Sequence, residues 1–143
     1  MKIVVLAGGL SPEREVSLSS GSLIANALIE NGHDVLLLDL SLGLDNIQDI
    51  ESLFINKTST KRYNHDISPE IPQSGMNKQD MKLIGNNVIE LCKYADLVFI
   101  ALHGSIGENG KLQALFDILS IHYTGTGYEG SLLAMNKDLS KQI

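Results

Sequence analysis

Glu13 and Glu15 stand just behind Gly8-Gly9-Leu10-Ser11-Pro12, where an apolar run ends and a helical pattern begins. A glycine pair at a strand-to-helix turn suggests a phosphate loop, because backbone amides at a helix N-terminus attract anions. The dinucleotide fingerprint needs G-x-G-x-x-G, whereas here no third glycine follows and two carboxylates occupy the turn. Those charges repel phosphate and attract an ammonium group, so the loop chemistry favours an amine or amino-acid ligand over a nucleotide. The same acids would also complement the helix dipole, at ~0.3 to 1 kcal/mol each. Residue type alone leaves both readings open.

His103 follows the strongest apolar run, Leu97 to Leu102, and opens the segment Gly104-Ser105-Ile106-Gly107-Glu108-Asn109-Gly110. If the strands ending at Leu6 and Leu102 are neighbours, Glu13 and His103 share one mouth, as an ammonium clamp or a proton-transfer pair requires. Alternatively, His103 hydrogen-bonds backbone within its loop. Gly104, Gly107 and Gly110 suit turns or close approaches, and Glu108 suits the first turn of a helix. Lys137 and Lys141, four residues apart, project from one helix face, which a solvated surface also explains. His33, His65 and His122 have no spacing to Cys or carboxylates that resembles a metal site. Cys92 cannot form an internal disulfide and lies in the apolar pattern of a core thiol.

The elements that must position these residues alternate. Ile3 to Leu6 reads as a buried strand. Ser11 is the expected N-cap and Pro12 the first residue of a helix in which Val16, Ser20, Leu23, Ala27 and Leu28 recur until Asn31-Gly32. A second strand covers Val35 to Leu38. Leu44 to Phe54 suits a short helix, Lys57 to Asp80 a surface loop, and Leu83 to Tyr94 another helix. A third strand over Leu97 to Leu102, a helix over Gln113 to Leu119, a short fourth strand over Ile121 to Tyr123 and a last helix near Ser131 to Lys141 complete the pattern. Such alternation predicts an α/β fold: a Rossmann-like open parallel sheet of about four strands with helices on both faces, binding ligands at the carboxyl ends of the strands.

A chain of 143 residues with 43% hydrophobic content suits one compact domain. No apolar run approaches the ~18 to 20 residues that cross a bilayer, and no signal-peptide pattern opens the sequence, so a cytoplasmic location is expected. The net charge of −6 contains no basic block, which gives no support to nucleic-acid or membrane partners. Small molecules fit better.

Three segments together go beyond generic patterning: Gly8-Gly9-Leu10-Ser11-Pro12-Glu13-Arg14-Glu15-Val16-Ser17, then Ala101-Leu102-His103-Gly104 with Gly107-Glu108-Asn109-Gly110, then Tyr123-Thr124-Gly125-Thr126-Gly127 with Met135-Asn136-Lys137. In this order and spacing the chain resembles the D-alanine–D-alanine ligases, apart from about residues 40–87. Asn109 and Asn136 depart from the family, which more often has Asp there. The resemblance implies an ATP-grasp enzyme whose first domain, a pre-ATP-grasp sheet over residues 1–130, binds substrate. Residues 131–143 would then begin the connection to a central domain. ATP phosphorylates one D-alanine in that family, and the amine of a second D-alanine attacks the acyl phosphate, for peptidoglycan synthesis.

By motif position, Glu13 matches the catalytic acid that holds the first D-alanine by its ammonium group. Val16 matches a residue lining that subsite, His103 a histidine bordering it, and Lys137 a lysine reaching the ATP phosphates. Lys141 is a less direct match. The resemblance further implies ATP and magnesium bound mainly by domains outside this chain, a homodimeric complete enzyme, and inactivity of the isolated chain. The sequence stops at Lys141-Gln142-Ile143 within a helical pattern, as an excised or truncated domain would. Relatives that join D-alanine to D-lactate or D-serine, and a non-catalytic α/β binding module, are the alternatives.

Overall fold

The computed structural model describes residues 1–64 and 81–125. Within them the chain forms β1 (Lys2–Ala7), α1 (Arg14–Glu30), β2 (Asp34–Asp39), a 3-10 turn (Glu51–Leu53), α2 (Val88–Tyr94), β3 (Leu97–Ile100), α3 (Ser105–Glu108) and α4 (Lys111–Ile118). The sheet has the order β2-β1-β3 and both pairings are parallel. β1 is therefore central, and Ile3 through Ala7 are at most 2% exposed. A strand covered on both faces needs no polar alternation, which is why its sequence is uniformly apolar.

Side chains alternate across that strand. Ile3, Val5 and Ala7, with Val35, pack on one face against Leu18, Ala25 and Ile29 of α1. Val4, Leu6, Leu36, Leu38 and Val98 pack on the other against Val88, Leu91 and Cys92 of α2 and Leu112 and Phe116 of α4. Helices thus cover both faces, as the sequence predicts. α1 approaches the sheet closely through Gly21, where an added Cβ would lie 2.8 Å from the Ala7 Cβ and 3.1 Å from a Leu37 methyl.

Several boundaries differ from expectation for identifiable reasons. α1 begins at Arg14 because Ser11 spends its groups on a turn: its Oγ accepts the Glu13 amide (3.0 Å) and its carbonyl accepts that of Arg14 (3.0 Å). Ser11 is therefore not the N-cap. The helix expected from Leu83 starts only at Val88, because Asn87 has a φ of 63° and donates from its side chain to the Leu44 carbonyl (2.7 Å). Only the 3-10 turn forms within Leu44 to Phe54, although Leu44, Ile47, Ile50 and Leu53 still pack against the core. Gly43 and Gly85 meet back to back there, each leaving no room for a Cβ against the other segment's backbone.

The fourth strand is reduced to a single parallel bridge between Tyr123 and Val98. Val98 exchanges hydrogen bonds with the His122 carbonyl (2.8 Å) and the Thr124 amide (3.0 Å), but the next ladder donor, Ile100 N, bonds the Thr124 hydroxyl instead (3.2 Å). A side chain ends the ladder. β3 stops at Ile100, before the expected Leu102, and the glycine-rich segment after it contains the helical turn α3. The expected last helix, Lys137 and Lys141 lie outside the described residues.

Two measurements check this packing. Gly21→Ala would gain up to ~1 kcal/mol in an open helix, but the approach to Ala7 reverses the sign. Denaturant unfolding should show a loss of about 1 to 3 kcal/mol. Burial pushes the Cys92 thiol up to about 12. A raised acid pKa favours the folded state below the unfolded value of about 9, and that contribution is lost as pH rises from 9 towards 12. Modification by a thiol reagent at pH 8 should consequently be slow in the native protein and fast in denaturant.

Candidate functional site

The carboxyl ends of β1 and β3 and the start of α1 converge on one edge of the sheet. A cleft of about 160 Å³ opens there, lined by the Gly8 to Pro12 turn, by Leu102 to Gly104, and by Leu83, Ile106 and Gly107. A cavity of about 150 Å³ is enough to admit benzene, so that volume suits a small organic molecule.

Gly8 and Gly9 have φ of 78° and 83°, a region that glycine enters without strain. Three side chains fasten this turn. Arg14 donates from Nη1 to the Gly9 carbonyl (3.2 Å) and forms an ion pair through Nη2 with Asp39 at the end of β2. Both side chains are only 11–12% exposed. The other Asp39 oxygen accepts the amides of Ser41 (2.9 Å) and Leu42 (3.3 Å). A Cβ on Gly8 would strike the Asp39 carboxylate, so glycine is required by space as well as by conformation. Ser17, fully buried, accepts the Gly8 amide (2.9 Å) and donates to the Ala101 carbonyl (2.7 Å), which ties the end of β1 to the end of β3.

β1 and β3 are neighbours, the condition on which Glu13 and His103 were expected to share a mouth. They do so. An ideal Cβ on Gly104, beside His103, would lie 3.7 Å from the Glu13 carboxylate and 2.8 Å from the Ser11 hydroxyl. Glu13 is exposed and stands at the rim, not among the residues that line the cleft. His103 lines the cleft, and its Nε2 lies 3.2 Å from the Ser20 hydroxyl on α1. The ring is thus held by a side chain of the neighbouring helix, not by loop backbone. Val16 is 51% exposed on α1 and does not line the cleft. The glycine-rich loop is pinned from below by Gln113, whose Nε2 donates to the Gly107 carbonyl (2.9 Å).

Sequence reasoning singled out neither Arg14, Asp39 and Ser17 nor the Ser20 contact. Asp39 ends a parallel strand, at the edge where functional groups collect, and that position was the available signal. Among the described residues no three His, Cys, Asp or Glu side chains gather to hold a metal. No described helix is long and apolar enough to cross a membrane.

The family model described as the D-ala D-ala ligase N-terminus matches residues 2–126, most of the chain. The chain belongs to that family. It is 47% identical, over its whole length, to the D-alanine–D-alanine ligase of Lacticaseibacillus casei, and 44% identical to that of Pediococcus pentosaceus. It spans only 41% and 42% of those two proteins. Among solved structures, the Bacillus anthracis D-alanine–D-alanine ligase complexed with ATP aligns with a TM-score of 0.60 at 25% identity, over 99% of this chain and 35% of that one. The Vibrio cholerae D-alanyl-alanine synthetase A, at 22% identity and TM-score 0.59, shares the fold.

The ion pair of this ligase N-terminal domain carries a quantitative expectation. Removing one partner of a nearly buried pair strands the other charge, at about 3 to 5 kcal/mol. Arg14→Met and Asp39→Leu should each cost that much in urea unfolding, and the double variant should cost clearly less than their sum.

Proposed function

We propose that this chain is the substrate-binding N-terminal domain of a cytoplasmic D-alanine–D-alanine ligase, which joins two D-alanines through a D-alanyl phosphate in peptidoglycan synthesis. The observation that carries the reading is the Glu13 carboxylate at the mouth of a small cleft beside His103 and Gly104. A carboxylate at that opening, with an imidazole in the cleft wall, suits the ammonium end of one amino acid. Glu13 holds and orients the first D-alanine and His103 borders it, whereas Val16, which the resemblance gives as lining that subsite, stands exposed outside the cleft and is given no part in holding the ligand. Residues 1–130 form this domain, and residues 131–143 begin the connection to an ATP-grasp domain.

ATP supplies the phosphoryl group that activates the first carboxylate. Negative charge at Glu13 disfavours a polyphosphate at this mouth. ATP and magnesium are assigned mainly to domains outside this chain, with Lys137 as a point charge on the phosphates. The full-length enzyme is proposed to be a homodimer. The names of its relatives favour D-alanine over D-lactate or D-serine as second substrate.

Phosphate release from ATP with D-alanine, compared between this chain and the full-length protein, tests the reading. Release by the longer protein alone, and only with the D-isomer, is expected. No release from either would favour the binding-module alternative. Glu13→Gln in the full-length protein removes a charge-assisted contact of ~1.5 to 3 kcal/mol. Steady-state kinetics should then show the KM for the first D-alanine rising about 10- to 100-fold, with that for ATP nearly unchanged.

A further inference from the structure

Ser20 sits on α1 one turn beyond Val16. Its hydroxyl lies 2.9 Å from the Val16 carbonyl, 3.2 Å from the Ser17 carbonyl and 3.2 Å from His103 Nε2. Bonding back to a carbonyl three or four residues earlier is ordinary for a helical serine. The contact to His103, 83 positions away and part-buried, is not part of that habit.

A hydroxyl has one proton to donate and two lone pairs to offer. Two carbonyls, which can only accept, compete for the Ser20 proton, and the shorter contact is to Val16. Once the proton is committed there, Ser20 can meet the imidazole only as an acceptor. The nitrogen facing it must then carry hydrogen. In a neutral ring the other nitrogen, Nδ1, is left with an open lone pair, and among the described residues it makes no hydrogen bond with the protein.

We propose that Ser20 is a positioning residue that fixes His103 as the tautomer protonated at Nε2, so that the ring offers Nδ1 as an acceptor to a ligand donating N–H bonds. Together with Glu13, the site then presents acceptors to its ligand, a pattern that selects an ammonium group over a carboxylate. The ligand half of this inference rests on the amine subsite proposed above, while the tautomer half stands on the Ser20 geometry alone.

The tautomer is read from long-range 1H–15N correlations of the chain with 15N-labelled histidine, at a pH where His103 is neutral, with its signals assigned by their loss in His103→Gln. The expected pattern is hydrogen on Nε2, a change in the Nε2 shift in Ser20→Ala, and near-native shifts in Ser20→Thr, which keeps the hydroxyl. Hydrogen on Nδ1 in the native chain, or an Nε2 shift indifferent to Ser20→Ala, would overturn the proposal. In the full-length protein, Ser20→Ala should raise the KM for the first D-alanine about three- to tenfold with that for ATP unchanged, and Ser20→Thr should restore it. A Ser20→Ala enzyme with native kinetics, when Glu13→Gln raises that KM, refutes the positioning role. If neither variant moves it, the amine subsite itself falls, and the ligand half of this inference with it.

Discussion

The Arg14–Asp39 ion pair is the constraint on which the ligand-binding edge depends. It joins the first turn of α1 to the end of β2 and, through the Gly9 carbonyl, holds the turn that leaves β1. Two charges so nearly removed from water persist because each has further work: Arg14 reaches backbone, and Asp39 caps the amides of Ser41 and Leu42. The turn keeps its left-handed glycines because the chain around them is fixed on three sides.

A division of labour follows along α1. Its apolar residues, Leu18, Ala25 and Ile29, hold the helix to the sheet, and Gly21 lets it come close. Its polar residues on the first two turns serve the edge instead: Arg14 the glycine turn, Ser17 the junction of β1 with β3, Ser20 the imidazole. One helix therefore sets both the depth of the core and the geometry of the cleft.

The α/β class, the parallel sheet and the helices on both faces were legible in the sequence, and the shared mouth of Glu13 and His103 was legible only on condition that β1 and β3 were neighbours, which the strand order supplies. Each follows from apolar periodicity and from the rule that parallel strands gather function at their carboxyl ends. Element boundaries were less so, because side-chain bonds decided them: Ser11 closing a turn, Asn87 reaching Leu44, and Thr124 taking the amide that a fourth strand would have used. The fastening residues were equally hidden. Arg14 and Asp39 are 25 positions apart and Ser20 and His103 are 83 apart, and no local pattern announces a partner at such distance.

The back-to-back contact of Gly43 and Gly85 has an evolutionary consequence. Any side chain at either position would meet the opposing backbone, and Gly43 also has a φ of 60°. A substitution at one glycine cannot be relieved by shrinking the other, which is already as small as a residue can be. Drift in this connection is therefore confined to its neighbours, and the two glycines can be given up only by rebuilding the whole crossing in one step.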